Sequence, residues 1–346
     1  MINNIRNRFR NFQPKRVEPS QLKQLLDELL SESTPDSTYL ILIIGSCAIA
    51  TFGLLANSTA VIIGAMIIAP LMLPIRGLAF GALIGNFNLF RQGVIAVLLG
   101  TFLALLISCS IGWLVNLPSF GSEVLSRSKP NLLDLGIAVA AGGISGYAKV
   151  NSKISTSLAG TAIAVALMPP ICVIGLGLAK SDWSLSLGAT LLYLTNLLGI
   201  SLACMLTFLY TGYSPVERAR KALLWAVALT GVLLIPLTVS FTQLLRQAQL
   251  ETHLKKALLN RTVTFQRLEL VKTDTNWLTN PPQVRLSVRA QSPVTPKQVS
   301  LLEAFLKKQM GQVFTLIFEV SQVKEVTQEI TDSPNKSFIN KEKKEE

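Results

Sequence analysis

The sequence predicts an all-α polytopic membrane bundle of about seven spans, with two three-span inverted repeats containing broken helices, followed by a small soluble α/β domain of β-β-α-β order. Three observations predict it. Half of the residues are apolar and 15% are charged, where a soluble domain carries about a quarter charged residues. The deficit is concentrated between Thr38 and Phe241, while residues 1–37 and 242–346 have an ordinary soluble composition. Finally, an apolar block bearing glycine and proline recurs at an offset of 96 residues. A bilayer core about 30 Å thick needs about 20 apolar residues per helix, so the central region holds about six to eight crossings.

The elements follow in order. Residues 1–37 form a basic cytoplasmic segment whose first 16 residues are expected to be mobile. Leu22, Leu25, Leu26, Leu29 and Leu30 then recur at helical spacing opposite Lys23, Asp27 and Glu28, which predicts an amphipathic helix lying on the membrane or packed on the protein. The first repeat occupies residues 38–117: a span over 38–56, a stretch from 58 to 86 broken at Pro70 and Pro74, and a span over 90–117. Twenty-nine continuous helical residues would be about 43 Å long, beyond the bilayer core. Two prolines four apart remove amide donors and clash with the preceding turn, which predicts half-helices over 58–69 and 75–86.

The second repeat occupies residues 132–210: a span over 132–148, a stretch over 154–179 broken at Met168, Pro169 and Pro170, and a span over 185–210. An additional span covers 222–241. The soluble domain, 243–330, opens with a charged helix over 243–260. Strands are expected over 262–270, 283–290 and 313–320, with a helix capped by Thr295-Pro296 and ended by Gly311. Residues 331–346 read as a solvated Lys/Glu tail.

The offset of 96 aligns Gly64 with Gly160, Leu71-Met72 with Leu167-Met168, Pro74-Ile75 with Pro170-Ile171, and Gly81 with Gly177. If each broken segment crosses once, a repeat has three crossings, and an odd number sets the second copy upside down. Irregular backbone cannot face lipid, because unpaired amides there cost several kcal/mol, so it persists only beside protein or a polar cavity. Interrupted helices at corresponding positions of inverted repeats point to a secondary transporter. Re-entrant hairpins would instead favour a channel. Lys and Arg counts favour a cytoplasmic N-terminus: six before the first span, then Arg91, Lys149, Lys153, Arg218, Arg220 and Lys221 inside, against Arg127, Lys129 and Lys180 outside. Seven crossings then put the C-terminal domain outside.

The run Asn57-Ser-Thr-Ala-Val-Ile-Ile-Gly-Ala-Met-Ile-Ile-Ala-Pro-Leu-Met-Leu-Pro, with the later Ala166-Leu-Met-Pro-Pro-Ile, resembles the bacterial and archaeal membrane family known as domain-of-unknown-function 389. The likeness covers roughly residues 38–210. It implies a multispan membrane protein without a settled activity and supplies no site residues, and a small residue often stands in that family where this chain has Leu73; the chain is expected in a bacterial inner (plasma) membrane.

Candidate site residues therefore come from the chain itself. Arg76, two residues after Pro74, is an ionisable side chain inside an apolar stretch, which is costly and commonly functional. It either meets an anionic substrate or snorkels and caps freed carbonyls; its repeat counterpart is Cys172. Pro70, Pro74, Pro169 and Pro170 mark the breaks. Ser58, Thr59, Thr195, Asn196 and Ser201 line a cavity or form interhelical hydrogen bonds.

Acidic residues (Asp36, Glu123, Asp134, Asp182, Glu217) fall near span ends, which disfavours a buried carboxylate relay. Cys47, Cys109, Cys172 and Cys204 lie in apolar runs and read as packing residues. One histidine, His253, cannot build a metal or catalytic site, and no phosphate-binding glycine motif or secretory signal is visible. No enzyme activity, cofactor, metal or nucleic-acid partner is expected; the net charge of +12 fits cytoplasmic flanks and anionic headgroups. The leading expectation is a secondary transporter or facilitator of a small solute, anionic in one reading, moving by alternating access around the breaks at Pro70 to Arg76 and Met168 to Cys172. A re-entrant-loop channel and a membrane scaffold or sensor with an extracytoplasmic partner-binding domain are the alternatives. Its partners would be the lipid bilayer and that solute, with homo-oligomerisation open.

Overall fold

The computed structural model describes residues 17–151, 167–261, 268–276, 281–290, 294–311 and 313–322. The expectations for residues 1–16, for 152–166 (including Lys153, Gly160 and the first half of the second broken stretch), for 262–267 and for the 331–346 tail lie outside the described residues. The chain divides into two compact units, residues 1–244 and 245–346.

In the first unit, α1 (Pro19–Ser33) begins on a proline, which has no amide to leave unbonded in a first turn, and ends before Thr34, held extended ahead of Pro35. Its leucine stripe packs inward, with Leu25 and Leu29 buried in the main core. Helix α2 (Ser37–Leu55) is capped by Asp36, whose carboxylate accepts from the Tyr39 amide at 2.7 Å. Then α3 (Thr59–Ile68) and α4 (Met72–Ile84) meet at a bend of 53°.

Ala69 is extended there because the Pro70 ring excludes helical geometry from the residue before it. Pro74 does not break the chain as expected. It is the third residue of α4, in a first turn whose amides have no intrahelical acceptor, so its missing N–H costs nothing. The link is therefore only Ala69 to Leu71, shorter than the sequence suggested. Gly85, at φ 73°, ends α4 in a left-handed turn open to glycine.

Helix α5 (Phe87–Val115) is capped by Asn86, and a short α6 (Ser122–Ser126) follows. Helix α7 (Leu132–Val150) opens with a capping box between Asn131 and Asp134. Helix α8 (Met168–Ala179) carries Pro169 and Pro170 in its first turn, where they initiate a helix, as Pro74 does in α4. Helix α9 (Trp183–Tyr210) is capped by Asp182.

Element bounds repeat at an offset of 95 or 96 residues: α2 with α7, α4 with α8, α5 with α9. Met72 and Met168 are both first helical residues, and the caps Asn86 and Asp182 each accept from the amide three residues on. One close approach recurs as well. A Cβ on Gly81 would lie 2.6 Å from the Phe90 amide, and one on Gly177 would lie 3.1 Å from that of Ser186, the position 96 residues after Phe90.

Helix α10 (Val216–Arg261) runs 46 residues through Pro236. A span over 222–241 and a separate charged helix over 243–260 were expected. They form one element, because no glycine or proline separates Phe241 from Gln243 and Thr242 bonds back to the Val239 carbonyl. Among the described residues four helices (α2, α5, α9 and the apolar part of α10, Ala219–Leu250) are long and apolar enough to cross a membrane, and the bent α3–α4 pair makes a fifth if it crosses as one span. Large apolar side chains such as Leu98, Phe102 and Trp225 face outward. Such a surface suits a lipid bilayer.

In the second unit, β1 (Leu268–Asn276) pairs antiparallel with β2 (Gln283–Ala290), and β2 pairs parallel with β3 (Thr315–Gln322) across α11 (Pro296–Met310). Val284, Leu286 and Val288 alternate into a core closed by Leu302, Leu306, Phe314 and Leu316. Of the expected first strand, 262–270, the described residues 268–270 belong to β1, which runs on to Asn276 opposite β2. Threonines at 273 and 275 take positions where the sequence offered no apolar alternation.

Candidate functional site

Helix α7 has a chemically distinct cluster at each end. At its start lies a polar cavity of about 440 Å³ whose walls include Thr59, Glu123, Arg127, Asn131, Asp134, Pro170 and Asn196. Each is positioned by a local rule. Thr59 is the first residue of α3. Glu123 and Arg127 sit four apart and pair at 2.8 Å. The Asn131 amide donates to the Asp134 carboxylate, and the Asn131 side-chain oxygen accepts from the Leu133 amide, both at 2.8 Å. Pro170 comes from the first turn of α8 and Asn196 from the middle of α9.

Two further bonds tie the rim together. The Thr59 hydroxyl donates to Glu123 at 2.6 Å, and Asn57 accepts from the Glu123 amide at 2.9 Å. The Thr59 bond, with the Arg127 charge behind it, holds the Glu123 carboxyl below its ordinary pKa despite partial burial. The rim is thus ionised but nearly neutral as a pair, and the wall carries hydroxyl, amide and carboxylate groups able to hydrogen-bond a small polar molecule.

The other end of α7 holds Lys149, about 22 Å from Asp134 at 1.5 Å per residue. Its ammonium lies 2.8 Å from Glu28 and 2.9 Å from Glu32 of α1, and the second Glu32 oxygen meets the Arg76 guanidinium at 3.2 Å. The side chains of Arg76 and Lys149 are only 9% and 7% exposed, Glu32 27%. The bond from Lys149 lowers the pKa of Glu28. The Arg76 Nε is buried without an acceptor.

The candidate residues thus separate. Pro170 and Asn196 line the cavity with Thr59. Arg76 does not; it joins α1. Pro70 lies in the α3–α4 link, Pro74 and Pro169 in first turns, and Ser58 at the cap position of α3 with no side-chain cap bond. Thr195 and Ser201 bond back to carbonyls of their own helix at 2.7 Å. Glu123, Arg127, Asn131 and Asp134 were not read as site residues, although their i,i+4 and cap spacings were in plain view. Cys47 and Cys172, apart by 125 positions, bring their sulfurs within 3.6 Å in the core. Among the described residues no group of His, Cys, Asp and Glu could hold a metal ion.

Comparison with known proteins gives a family likeness and no activity. Residues 66–202 match the family described as a domain of unknown function (DUF389). An uncharacterized protein of Methanocaldococcus jannaschii is 28% identical over 232 residues, covering 66% of this chain and 71% of that protein. No solved structure matches the chain.

Proposed function

Taking as premise that residues 66–202 match the DUF389 family, we propose that the chain is a secondary transporter or facilitator of a small polar solute, working by alternating access around the α3–α4 link and the start of α8. The observation that carries this reading is the polar cavity reaching from the Glu123–Arg127 rim to Pro170 and Asn196. A sealed scaffold has no need of a void lined by polar groups between its helices. Recurrence of element bounds, caps and the Gly81 and Gly177 contacts at the same offset supports two equivalent units. The 53° bend keeps α3 and α4 running in broadly one direction, which favours a single crossing over re-entry. Counting α2, α3–α4, α5, α7, the segment ending in α8, α9 and α10 gives seven crossings and an inverted second repeat.

In this arrangement the cavity opens on the outer side, and α1, through Glu32, closes the inner side. Alternation would exchange the two. One observation favours a second reading: the described residues cover little of the apolar part of α10, a face that copies could share in a scaffold.

Flux separates the classes. The full chain is reconstituted in liposomes and loaded with labelled phosphate, sulfate or acetate. Saturable uptake with counterflow is expected, reduced about tenfold by Asn196→Leu, which removes one hydrogen-bonding partner worth about 1.4 kcal/mol. Unitary currents would make it a channel, and the absence of both would leave the scaffold.

A further inference from the structure

The cluster at the inner end of α7 is unusual in its stoichiometry. Two cations from different helices, Arg76 on α4 and Lys149 on α7, are both more than nine-tenths buried and converge on one carboxylate. Buried charges of like sign repel strongly unless an anion lies between them. Here that anion is Glu32, delivered by a helix outside the predicted spans. It serves Arg76 poorly. A guanidinium offers five donors in a fork suited to two parallel bonds, yet Glu32 makes a single contact at 3.2 Å and leaves the buried Nε without an acceptor. The second carboxylate, Glu28, is 46% exposed and reaches only Lys149.

We propose that Arg76 and Lys149 form an oxyanion site, for phosphate or carboxylate oxygens, which Glu32 occupies as a tethered surrogate, and that a free oxyanion displaces Glu32 and releases α1. An incoming phosphate would carry the same charge sign to the same two cations, with enough oxygens to satisfy Nε as well. Its entry leaves Glu32 free to return to water, and Ser33, buried against Gly77 one residue on, is drawn out with it. That the oxyanion is the transported solute rests on the transport reading; its binding does not, and binding is measured without flux.

The full-length protein in phosphatidylcholine nanodiscs is titrated with inorganic phosphate while thermal unfolding is followed. Glu32→Gln keeps the shape of the side chain and removes the competitor, so its midpoint for phosphate stabilisation is expected at least tenfold below that of the parent. The double variant Arg76→Gln with Glu32→Gln leaves no unpaired buried charge on either partner and is expected to lose the response. In a Ser33→Cys variant, phosphate is expected to speed reaction with a water-soluble maleimide several-fold over the parent's own cysteines. Repeating the titration in phosphatidylglycerol nanodiscs identifies the natural source. If phosphate then adds nothing to Glu32→Gln, a lipid headgroup fills the site; if the midpoint is unchanged, a soluble oxyanion does. Equal midpoints in parent and Glu32→Gln, a response retained in the double variant, or Ser33→Cys labelling indifferent to phosphate would each overturn the proposal.

Discussion

Proline is where residue-level reading met its limit. Pro70, Pro74, Pro169 and Pro170 all carry the same missing amide, but only the position in the helix decides the effect. Pro70 forces Ala69 out of helical geometry and makes the link, while the other three sit in first turns that have no bond to lose. Glycine divides in the same way. A Cβ on Gly142 would clash with the carbonyl oxygen of Ile200, a backbone atom that cannot step aside, whereas Gly136 on the same helix has open space. Gly142→Ala is therefore expected to destabilise the protein by about 1–3 kcal/mol, as overpacking does. Gly136→Ala should be neutral or stabilising by up to about 1 kcal/mol, the helix-propensity difference. Thermal unfolding in detergent measures both; equal melting temperatures would mean that α7 and α9 do not pack this closely. Neither glycine could be told from the other by sequence, because the contact lies 58 or more residues away.

Among the elements, α1 is the most instructive. Its leucine spacing announced an amphipathic helix and left open what covered the apolar face. Leu25 and Leu29 settle that by packing into the protein, and Glu28 and Glu32 bind it from the polar side. The lowered pKa of Glu28 carries a definite sign. A carboxylate whose folded pKa is depressed contributes stability that is present above its ordinary 4.5 and is lost as pH falls through the lowered folded value. The hold on α1 should thus be complete at pH 6 and fail on acidification below 4.5. A nitroxide placed by Lys23→Cys, on the exposed face, is expected to gain mobility over that range by spin-resonance line shape. Glu28→Gln should shrink the acid transition and raise mobility at pH 6. A line shape constant from pH 6 to 3.5 would show that the ion pairs do not anchor the helix.

For the whole molecule, the crossing count governs orientation. The proposed seven crossings would set Lys149 on the side of α1 and Glu123 on the other side of the membrane. Single cysteines introduced at Ser122 and at Asn151 are expected to react with impermeant reagents from opposite faces, Ser122 from outside; labelling of both from one face would rule out the three-crossing repeat. Composition and spacing were sufficient for the apolar helices, the recurrence at 96 residues, the cap at Thr295 and the alternation of β2, because those features depend on neighbours within a turn or a strand. They were not sufficient to separate Arg76 from Pro170 and Asn196, to join Glu32 with Arg76 and Lys149, or to bring Cys47 beside Cys172. Those juxtapositions span from 44 to 125 positions. Which buried cation meets which carboxylate is set by the packing of whole helices against one another, and local sequence carries no record of that distance.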